Sequence, residues 1–269
     1  MTAHRITDHL FSLEGRTALI TGGSRGIGRM IAQGFVEMGA KVYISSRKAE
    51  ACFKTAEELS AFGTCIALPG DVSSMAGVAA LADAYKAREP TLDILVNNAG
   101  AAWRAEFDAF PEKGWDKVMD VNVKGVFFLT QSLANPLRGA AKAAGRPAKV
   151  INVASVDGLT VNGDETYSYG ASKAAVIMLT RRMALKLAKD QVMVSAICPG
   201  AFPSEMNLAA RDHADALAGV IPSGRVGVAD DMAGTALYLA SRAGDYVTGT
   251  TVAVDGGVTL VTVSASMDD

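Results

Sequence analysis

A tyrosine and a lysine four residues apart are the side chains of this sequence best suited to acid–base chemistry. Tyr169 and Lys173 are separated by Gly-Ala-Ser, and on a helix this spacing places both side chains on one face. A neighbouring ammonium stabilises a phenolate, so it would lower the tyrosine pKa from about 10. Such a phenol can protonate a developing alkoxide or deprotonate an alcohol. The alternative is a surface pair, because this spacing is common on helices.

Three other polar residues stand near this pair in the sequence or on predicted neighbours. Ser155 follows a predicted strand at 149–153, where a hydroxyl could polarise a substrate carbonyl or simply form a turn. Asn122 interrupts an apolar helix pattern, and it either caps a kink or holds a water in a proton relay to Lys173. We favour the relay because the other members are present. Tyr167 lies about 200° around the helix from Tyr169 and is assigned to packing or the pocket rim.

A glycine-rich turn follows the first predicted strand, 17–21. It reads Gly-Gly-Ser-Arg-Gly-Ile-Gly over 22–28 and opens a predicted helix. Glycines allow a sharp turn and a close approach to a pyrophosphate, and a helix N-terminus attracts phosphate. A glycine turn without a ligand is the alternative. The residues predicted to bind a dinucleotide here are Gly22, Ser24, Arg25, Gly26, Ile27 and Gly28.

The end of the second predicted strand decides which dinucleotide is expected. A carboxylate there would bind the ribose hydroxyl of NAD, but the strand ends in Ser46 and Arg47. A guanidinium at this point, joined by Arg25, can clamp a 2′-phosphate. We therefore predict NADPH or NADP+ rather than NADH, the alternative being a solvated basic helix start.

Residues after the third and fourth predicted strands complete the expected dinucleotide site. Asp71, followed by Val72, can accept from the adenine amino group or cap the helix that starts near residue 73. Asn98, Ala99 and Gly100 end the fourth strand, where small residues leave room for the riboses. The alternative is an ordinary strand-ending turn.

Composition limits the classes of partner and site. The 269 residues carry a net charge of −2, which favours neither nucleic acid nor a membrane surface. No apolar run is long enough to span a membrane, and the first ten residues lack a signal-peptide core, so the cytoplasm is the predicted compartment. Three cysteines and three histidines show no ligand or disulfide spacing, so no metal site is predicted.

Short β-branched runs alternate with helix-like stretches along the chain. Strands apolar on both faces and separated by helices indicate an α/β fold, here one Rossmann domain over 1–269. We predict a doubly wound, seven-stranded parallel sheet with helices on both faces. Residues 139–148 are predicted as a loop and 261–269 as a frayed tail. The predicted strands are 17–21, 41–45, 65–68, 94–97, 149–153, 192–198 and 250–254, and the helices 25–38, 49–62, 75–88, 114–137, 167–189 and 229–240.

Taken together, these motifs resemble the short-chain dehydrogenase/reductase family over nearly the whole chain. The resemblance adds Pro199 and Gly200 to the expected cofactor site and includes Asp255-Gly-Gly. It implies a homotetramer, or a dimer. Ser155 and Tyr169 are fourteen residues apart, one more than is usual in the family, and the loop 161–164 can absorb the extra residue. The catalytic tetrad that the resemblance implies is Asn122, Ser155, Tyr169 and Lys173.

Three further stretches narrow the resemblance: Met-Ile-Ala-Gln at 30–33, Ala-Gly-Ala-Ala-Trp at 99–103 and Pro-Gly-Ala-Phe-Pro-Ser-Glu-Met at 199–206. In these the sequence resembles the NADPH-dependent 3-oxoacyl-[acyl-carrier-protein] reductases of rhamnolipid synthesis. That likeness implies a ketone or acyl thioester substrate and an acyl carrier protein as a possible partner. The segment 201–225 is predicted to form a substrate lid, with Phe202 and Trp103 contacting substrate, although both rings could belong to the core or an interface. The alternatives are an enzyme for a sugar, polyol, steroid or other small ketone, and a catalytically silent dinucleotide-binding protein.

Overall fold

Seven runs of β-branched and apolar residues form the strands of one parallel sheet. The computed structural model describes Thr7 and residues 9–260, so the prediction for the tail 261–269 lies outside the described residues. Each predicted strand is confirmed to within one residue at either end. The strands are β1 Thr17–Thr21, β2 Lys41–Ser45, β3 Cys65–Ala67, β4 Ile94–Asn97, β5 Ala148–Val153, β6 Val192–Pro199 and β7 Thr251–Val254.

The strand order is β3-β2-β1-β4-β5-β6-β7, with every neighbouring pair parallel. The chain winds outward from β1 through β2 to β3, then returns to β4 on the other side of β1. The order therefore reverses between β1 and β4, and in open α/β sheets ligands bind at the carboxyl ends of the strands at this reversal. The topology confirms the predicted doubly wound fold and indicates where to look for the site.

Ten α-helices among the described residues cover both faces of the sheet. Small residues bring some of them close together: a side-chain carbon on Gly34 would lie 2.8 Å from Cβ of Ala233 on the facing helix. No helix in the described part of the chain is long and apolar enough to cross a membrane. The helices are α1 Gly26–Glu37, α2 Ala49–Leu59, α3 Met75–Lys86, α4 Glu112–Met119, α5 Gly125–Ser132, α6 Ala134–Ala144, α7 Tyr167–Leu187, α8 Leu208–Asp212, α9 Ala214–Ala218 and α10 Ala229–Ala240.

The helical region after β4 differs from the prediction of one helix over 114–137. Helix α4 continues through a π-helical turn at Asp120–Lys124 into α5, and α6 then runs to Ala144. The predicted loop over 139–148 was therefore wrong, since only residues 145–147 separate α6 from β5. Alanines and a lysine extend the helix, and Gly145, at φ 61°, ends it in the left-handed conformation.

Two hydrophobic clusters fill the space between sheet and helices, one on each face. The first contains Tyr85, Leu95 and Leu129 from α3, β4 and α5. The second contains Ile20, Phe35 and Met232 from β1, α1 and α10. Because both faces of the central strands are covered, the strands are rigidly held and their carboxyl ends form a fixed platform for the polar residues of the site.

The opposite edge of the sheet holds a buried group of charges. Lys149, which is 1% exposed, lies with its Nζ 3.0 Å from Asp245 Oδ1, and Arg16 lies 3.2 Å from Asp93 Oδ1. Burial lowers the pKa of Lys149 to about 8, although Asp245 opposes the shift. The charged lysine is therefore held at a cost to the native state.

Lys149→Met is expected to change how stability depends on pH. The unfolded lysine keeps its proton up to about pH 10.4, so between about pH 8 and this value the unfolded chain binds more protons. The free energy of unfolding of the wild-type protein, relative to that of the variant, should thus increase by on the order of 1–2 kcal/mol between about pH 7.5 and 9.5. Urea unfolding of both proteins at the two pH values measures this difference. A difference that does not change with pH would contradict the buried charge.

Candidate active site

Helix α7 holds Tyr169 and Lys173 side by side at the carboxyl ends of the central strands. The Lys173 Nζ lies 5.5 Å from the centre of the Tyr169 ring, so the two side chains share a helix face as predicted. Lys173 is 4% exposed, and its ammonium donates a hydrogen bond of 2.8 Å to the carbonyl of Val153, the last residue of β5. The phenol is only partly covered. A protected ammonium thus stands behind an accessible phenol.

Burial controls the titration of both groups in the structure. It raises the pKa of Tyr169 to about 12, with hydrogen bonding to Ser155 opposing the shift. It lowers the pKa of Lys173 to about 8. Desolvation is the largest of these causes for Tyr169, and the lowering of its pKa by Lys173 that the sequence predicts stays a prediction. The phenol keeps its proton at neutral pH and can serve as a proton donor.

Ser155 lies immediately beyond β5, where the sequence placed it. Its hydroxyl accepts a hydrogen bond of 3.1 Å from the Asp157 main-chain N–H, which leaves the hydroxyl proton free to be donated. The residue begins a 3-10 turn at Val156–Gly158 that packs on α7. A side-chain carbon on Gly158 would lie 2.7 Å from the Lys173 carbonyl carbon. This close approach holds the serine next to the tyrosine.

Asn122 lies in the π-helical turn, where the helix is distorted and where its side-chain amide is fully hydrogen-bonded. Its Oδ1 accepts from the Ala101 N–H at 2.8 Å, and its Nδ2 donates to the Ala101 carbonyl and to Ser172 Oγ, both at 2.9 Å. π-turns occur often at functional sites. The amide joins the segment after β4 to helix α7, one residue before Lys173. The proton relay predicted for Asn122 stays a prediction.

The glycine-rich turn has the geometry of a phosphate cradle. Gly22 and Gly26 have φ angles of 66° and 51°, which side-chain-bearing residues rarely adopt. A side-chain carbon on Gly28 would lie 2.3 Å from the Gly22 carbonyl oxygen, so only glycine allows this approach. Helix α1 starts inside the turn with its N–H groups facing the carboxyl edge of the sheet. The Ser24 carbonyl accepts from Thr55 at 2.9 Å, which fixes the turn against α2.

Thr21 and Asn98 join the glycine turn to the end of β4. The Thr21 hydroxyl accepts from the main-chain N–H groups of Asn98 and Ala99, each at 3.0 Å. The Asn98 amide donates to the carbonyls of Thr21 and Gly22 at 2.9 and 3.1 Å. The predicted cofactor residues Asn98 and Ala99 are thus brought directly beside Gly22. Gly100 follows, and a side-chain carbon on it would lie 3.6 Å from Asn122 Oδ1.

Two arginines stand where the 2′-phosphate is expected, and one of them is already paired. Arg25 forms an ion pair with Glu205 of the predicted lid. Arg47 is exposed just past β2, while the hydroxyl of Ser46 donates to the Lys48 carbonyl at 3.2 Å. A phosphate bound by Arg25 would therefore share or replace this carboxylate. Arg47 can meet the phosphate without such an exchange.

The remaining predicted cofactor residues lie at or beyond the carboxyl ends of β3 and β6. Asp71 Oδ1 accepts from the Ser73 N–H at 3.0 Å, whereas the cap of α3 is Ser74, which accepts from Gly77 at 3.1 Å. Asp71 thus shapes the turn before the helix and keeps its second oxygen for a ligand, and Val72 beside it is buried. Further along the same edge, Pro199 ends β6 and Gly200 packs against Asp255 at a distance too short for a side chain.

The predicted lid covers the glycine turn, but its aromatic residue does not line the pocket. Phe202 is 2% exposed and belongs to the hydrophobic cluster with α1 and α10, and a side-chain carbon on Gly227 would lie 2.4 Å from its ring. The predicted substrate contact of Phe202 is therefore wrong, because its side chain is part of the hydrophobic core. Trp103 packs on Gly114 of α4 with the Lys117 ammonium 5.3 Å from its ring centre, and its substrate contact stays a prediction.

Several residues that shape the site were not predicted from the sequence. Thr21 was seen only as the end of a strand, and Glu205 only as part of the lid. Asp157 passed unnoticed, although an acid two residues after the candidate serine was a usable signal. Ser172 was read as a spacer between tyrosine and lysine. Its hydroxyl donates to the Tyr169 carbonyl at 2.7 Å and accepts from Asn122, so it links two predicted site residues.

Comparisons with known proteins agree with this geometry. The short-chain alcohol dehydrogenase family model described as "Enoyl-(Acyl carrier protein) reductase" matches residues 22–259. The rhamnolipids biosynthesis 3-oxoacyl-[acyl-carrier-protein] reductase of Pseudomonas aeruginosa is 49% identical over 250 residues, 92% of this chain and 97% of the relative. The 2-dehydro-3-deoxy-D-gluconate 5-dehydrogenase of Dickeya dadantii is 39% identical over 254 residues, 92% and 96% of the two chains.

A solved structure shares the same fold. The Pseudomonas aeruginosa RhlG/NADP active-site complex superposes with a TM-score of 0.89 at 48% identity, covering 93% of this chain and 99% of the other. The likeness therefore extends over nearly the whole length of both chains.

Proposed function

The chain belongs to the short-chain dehydrogenase/reductase family of oxidoreductases, and from that premise we propose that it reduces the ketone of a 3-oxoacyl thioester with NADPH. The observation that carries the proposal is the grouping of an accessible phenol, a buried ammonium and a serine hydroxyl beside the glycine turn. These groups are Tyr169, Lys173 and Ser155. Together they can bind and protonate a carbonyl oxygen next to a bound dinucleotide.

Tyr169 is assigned as the proton donor. Because burial raises its pKa to about 12, the phenol is protonated at neutral pH and can donate to an oxygen that gains negative charge. Ser155 is assigned to donate a second hydrogen bond to the same oxygen, which stabilises that charge most as it develops. When bound, NADPH supplies the hydride that the carbonyl carbon accepts.

Lys173 and Asn122 are assigned to support the phenol. With a pKa of about 8, most Lys173 side chains carry a charge at pH 7, and this charge favours proton loss from Tyr169. Lys173 is held by the Val153 carbonyl and is assigned to bind the nicotinamide ribose as well. Asn122 lies beside it across Gly100 and is assigned to relay protons through water.

NADPH is assigned as the cofactor because the groove contains cations and small residues where its phosphates must lie. The positive φ angles of Gly22 and Gly26 and the close approach at Gly28 fit a pyrophosphate. Arg47 and Arg25 fit the 2′-phosphate. The relative captured with NADP in its active site supports the same assignment.

An acyl thioester is assigned as the substrate because of the relatives and because of the apolar residues of the predicted lid. The Pseudomonas aeruginosa relative, named for a 3-oxoacyl substrate, shares about half of its residues with this chain. Around the entrance, Met206, Leu208 and Val220 of the predicted lid are exposed. These side chains offer an apolar surface that an acyl chain could cover.

A second candidate function has support from the other relative. The Dickeya dadantii enzyme is named for a sugar acid, and the same tetrad would serve a sugar, polyol, steroid or other small ketone. A catalytically silent dinucleotide-binding protein has weaker support, since Ser155, Tyr169 and Lys173 are all present and adjacent. A homotetramer or dimer, an acyl-carrier-protein partner and a cytoplasmic location stay predictions.

Oxidation of NADPH with a panel of ketones tests the proposal. We expect kcat/KM for a 3-oxoacyl thioester, as coenzyme A or carrier-protein conjugate, to exceed that for 5-ketogluconate by about tenfold or more, which is about 1.4 kcal/mol in transition-state stabilisation. Simple cyclic and aryl ketones complete the panel. Higher kcat/KM for 5-ketogluconate would favour the sugar-acid candidate, and no turnover of any ketone would favour the silent protein.

A further inference from the structure

An acidic side chain stands next to the reacting groups without a part in the mechanism above. Asp157 lies two residues after Ser155, in the 3-10 turn between β5 and α7. Its main-chain N–H donates to the Ser155 hydroxyl at 3.1 Å. Its carbonyl oxygen would lie 3.3 Å from a side-chain carbon on Gly170, the residue after Tyr169. The main chain of Asp157 is thus fixed between Ser155 and the first turn of α7 that carries Tyr169.

The carboxylate is held in place by a chain of contacts. Asn162 donates to Asp157 Oδ1 at 2.9 Å, and the Asn162 Oδ1 accepts from the Asp164 N–H at 2.8 Å. Asp164 in turn pairs with Arg104 at 2.7 Å. Arg104, the nearest arginine in this chain of contacts, is therefore committed to Asp164 and does not neutralise Asp157.

The negative charge of Asp157 interacts electrostatically with Tyr169 and Lys173. The main-chain contacts of Asp157 with Ser155 and Gly170 place its carboxylate on the residue that joins the serine to the tyrosine helix, and its charge adds to the raised pKa of Tyr169. The pKa of Asp157 itself is raised by burial, opposed by Asn162 and Lys173. A partly buried, fixed charge is screened less than one on the open surface. A second negative charge brought to this place by a substrate would meet repulsion.

We propose that Asp157 is a specificity-determining residue that disfavours ketones carrying a carboxylate near the reacting carbonyl. The inference rests on the proposed ketone reduction and deepens it, because it separates neutral 3-oxoacyl chains from sugar acids, the two substrate classes named for the relatives. Two like charges separated by several ångströms at a protein surface repel by an energy on the order of 1 kcal/mol or more. Specificity here comes from a repulsive element.

Asp157→Asn tests the inference because asparagine keeps the shape and the oxygen that Asn162 contacts. The substrates are ethyl 3-oxobutanoate and the 3-oxobutanoate anion, which differ in charge at the position of the thioester. We expect wild-type kcat/KM to favour the ester by about tenfold or more, and the variant to lower that ratio about tenfold through a gain with the anion. Any change in Tyr169 acidity acts on both substrates and cancels in the ratio.

Asp83→Asn is the matched control, since it removes the same charge from the exposed face of α3, where Asp83 pairs with Lys86. This variant should leave the ratio unchanged. An unaltered ratio in Asp157→Asn, with both ketones reduced, would overturn the inference alone. If the ratio shifts but no 3-oxoacyl thioester is reduced, the inference stands and the proposed substrate fails. Turnover of neither ketone by wild-type protein would overturn both.

Discussion

Replacing Tyr169 with phenylalanine is expected to lower kcat for ketone reduction by about 10³-fold, within the range of about 10²–10⁴ typical of a positioned acid or base. Without the phenol, the oxygen that gains charge has only the Ser155 hydroxyl beside it, and Lys173 is bonded to the Val153 carbonyl. The ring itself fills the same space, so the affinity for NADPH should change by less than about threefold, or about 0.6 kcal/mol. Stopped-flow measurement of NADPH oxidation and a fluorescence titration provide the two values.

Tyr167→Phe is the matched control for this experiment. It makes the same substitution two residues earlier, where the tyrosine packs against Phe107 and Phe110 and its hydroxyl contacts Glu165 at 3.2 Å. We expect its kcat to stay close to that of the wild-type protein. Equal activity of Tyr169→Phe and Tyr167→Phe would remove Tyr169 from the proposed role of proton donor.

Arg47→Ala is expected to weaken NADPH binding by about 10–100-fold, because a charge-assisted hydrogen bond to phosphate contributes about 1.5–3 kcal/mol. NADH lacks the 2′-phosphate, so its Kd should change by less than about threefold. Titration of both dinucleotides against wild type and variant measures the two effects. Arg25 remains in the variant, but its pairing with Glu205 limits how far it can compensate.

Arg29→Ala is the control for a general loss of positive charge near α1. Arg29 is exposed one turn into that helix and pairs with Glu58 at 3.0 Å, and it was not predicted to contact a ligand. Its removal should affect NADPH and NADH alike and only slightly. If Arg47→Ala also weakened both dinucleotides equally, the 2′-phosphate assignment would be wrong.

Much of the fold follows from patterns that act locally. Strands such as β1 and β4 are largely apolar on both faces and end at turns, which leaves few arrangements besides a parallel sheet. The helix α7 was predicted from its start at Tyr167, two residues before Tyr169. The region after β4 was less predictable, since the π-turn at Asp120–Lys124 depends on the contact between Asn122 and Ala101, more than twenty residues away in sequence.

The site was predictable where spacing alone determines geometry. Tyr169 and Lys173 meet because a helix brings residues four apart together. The directions in which burial shifts the two pKa values were not predictable, because burial of these groups depends on the whole sheet. Phe202 shows a similar limit. An aromatic residue in a predicted lid favours a substrate contact, yet Gly227 leaves space in which the Phe202 ring packs into the core.

Thr21 has a consequence for how the protein meets its first ligand. One hydroxyl ties the last residue of β1 to the first two residues beyond β4, so the walls on either side of the strand reversal are fastened before any dinucleotide arrives. This part of the cleft is therefore ordered during folding, so binding of a dinucleotide does not include the free-energy cost of ordering it. A dinucleotide would therefore enter a cleft in which β1 and β4 are already joined at their carboxyl ends.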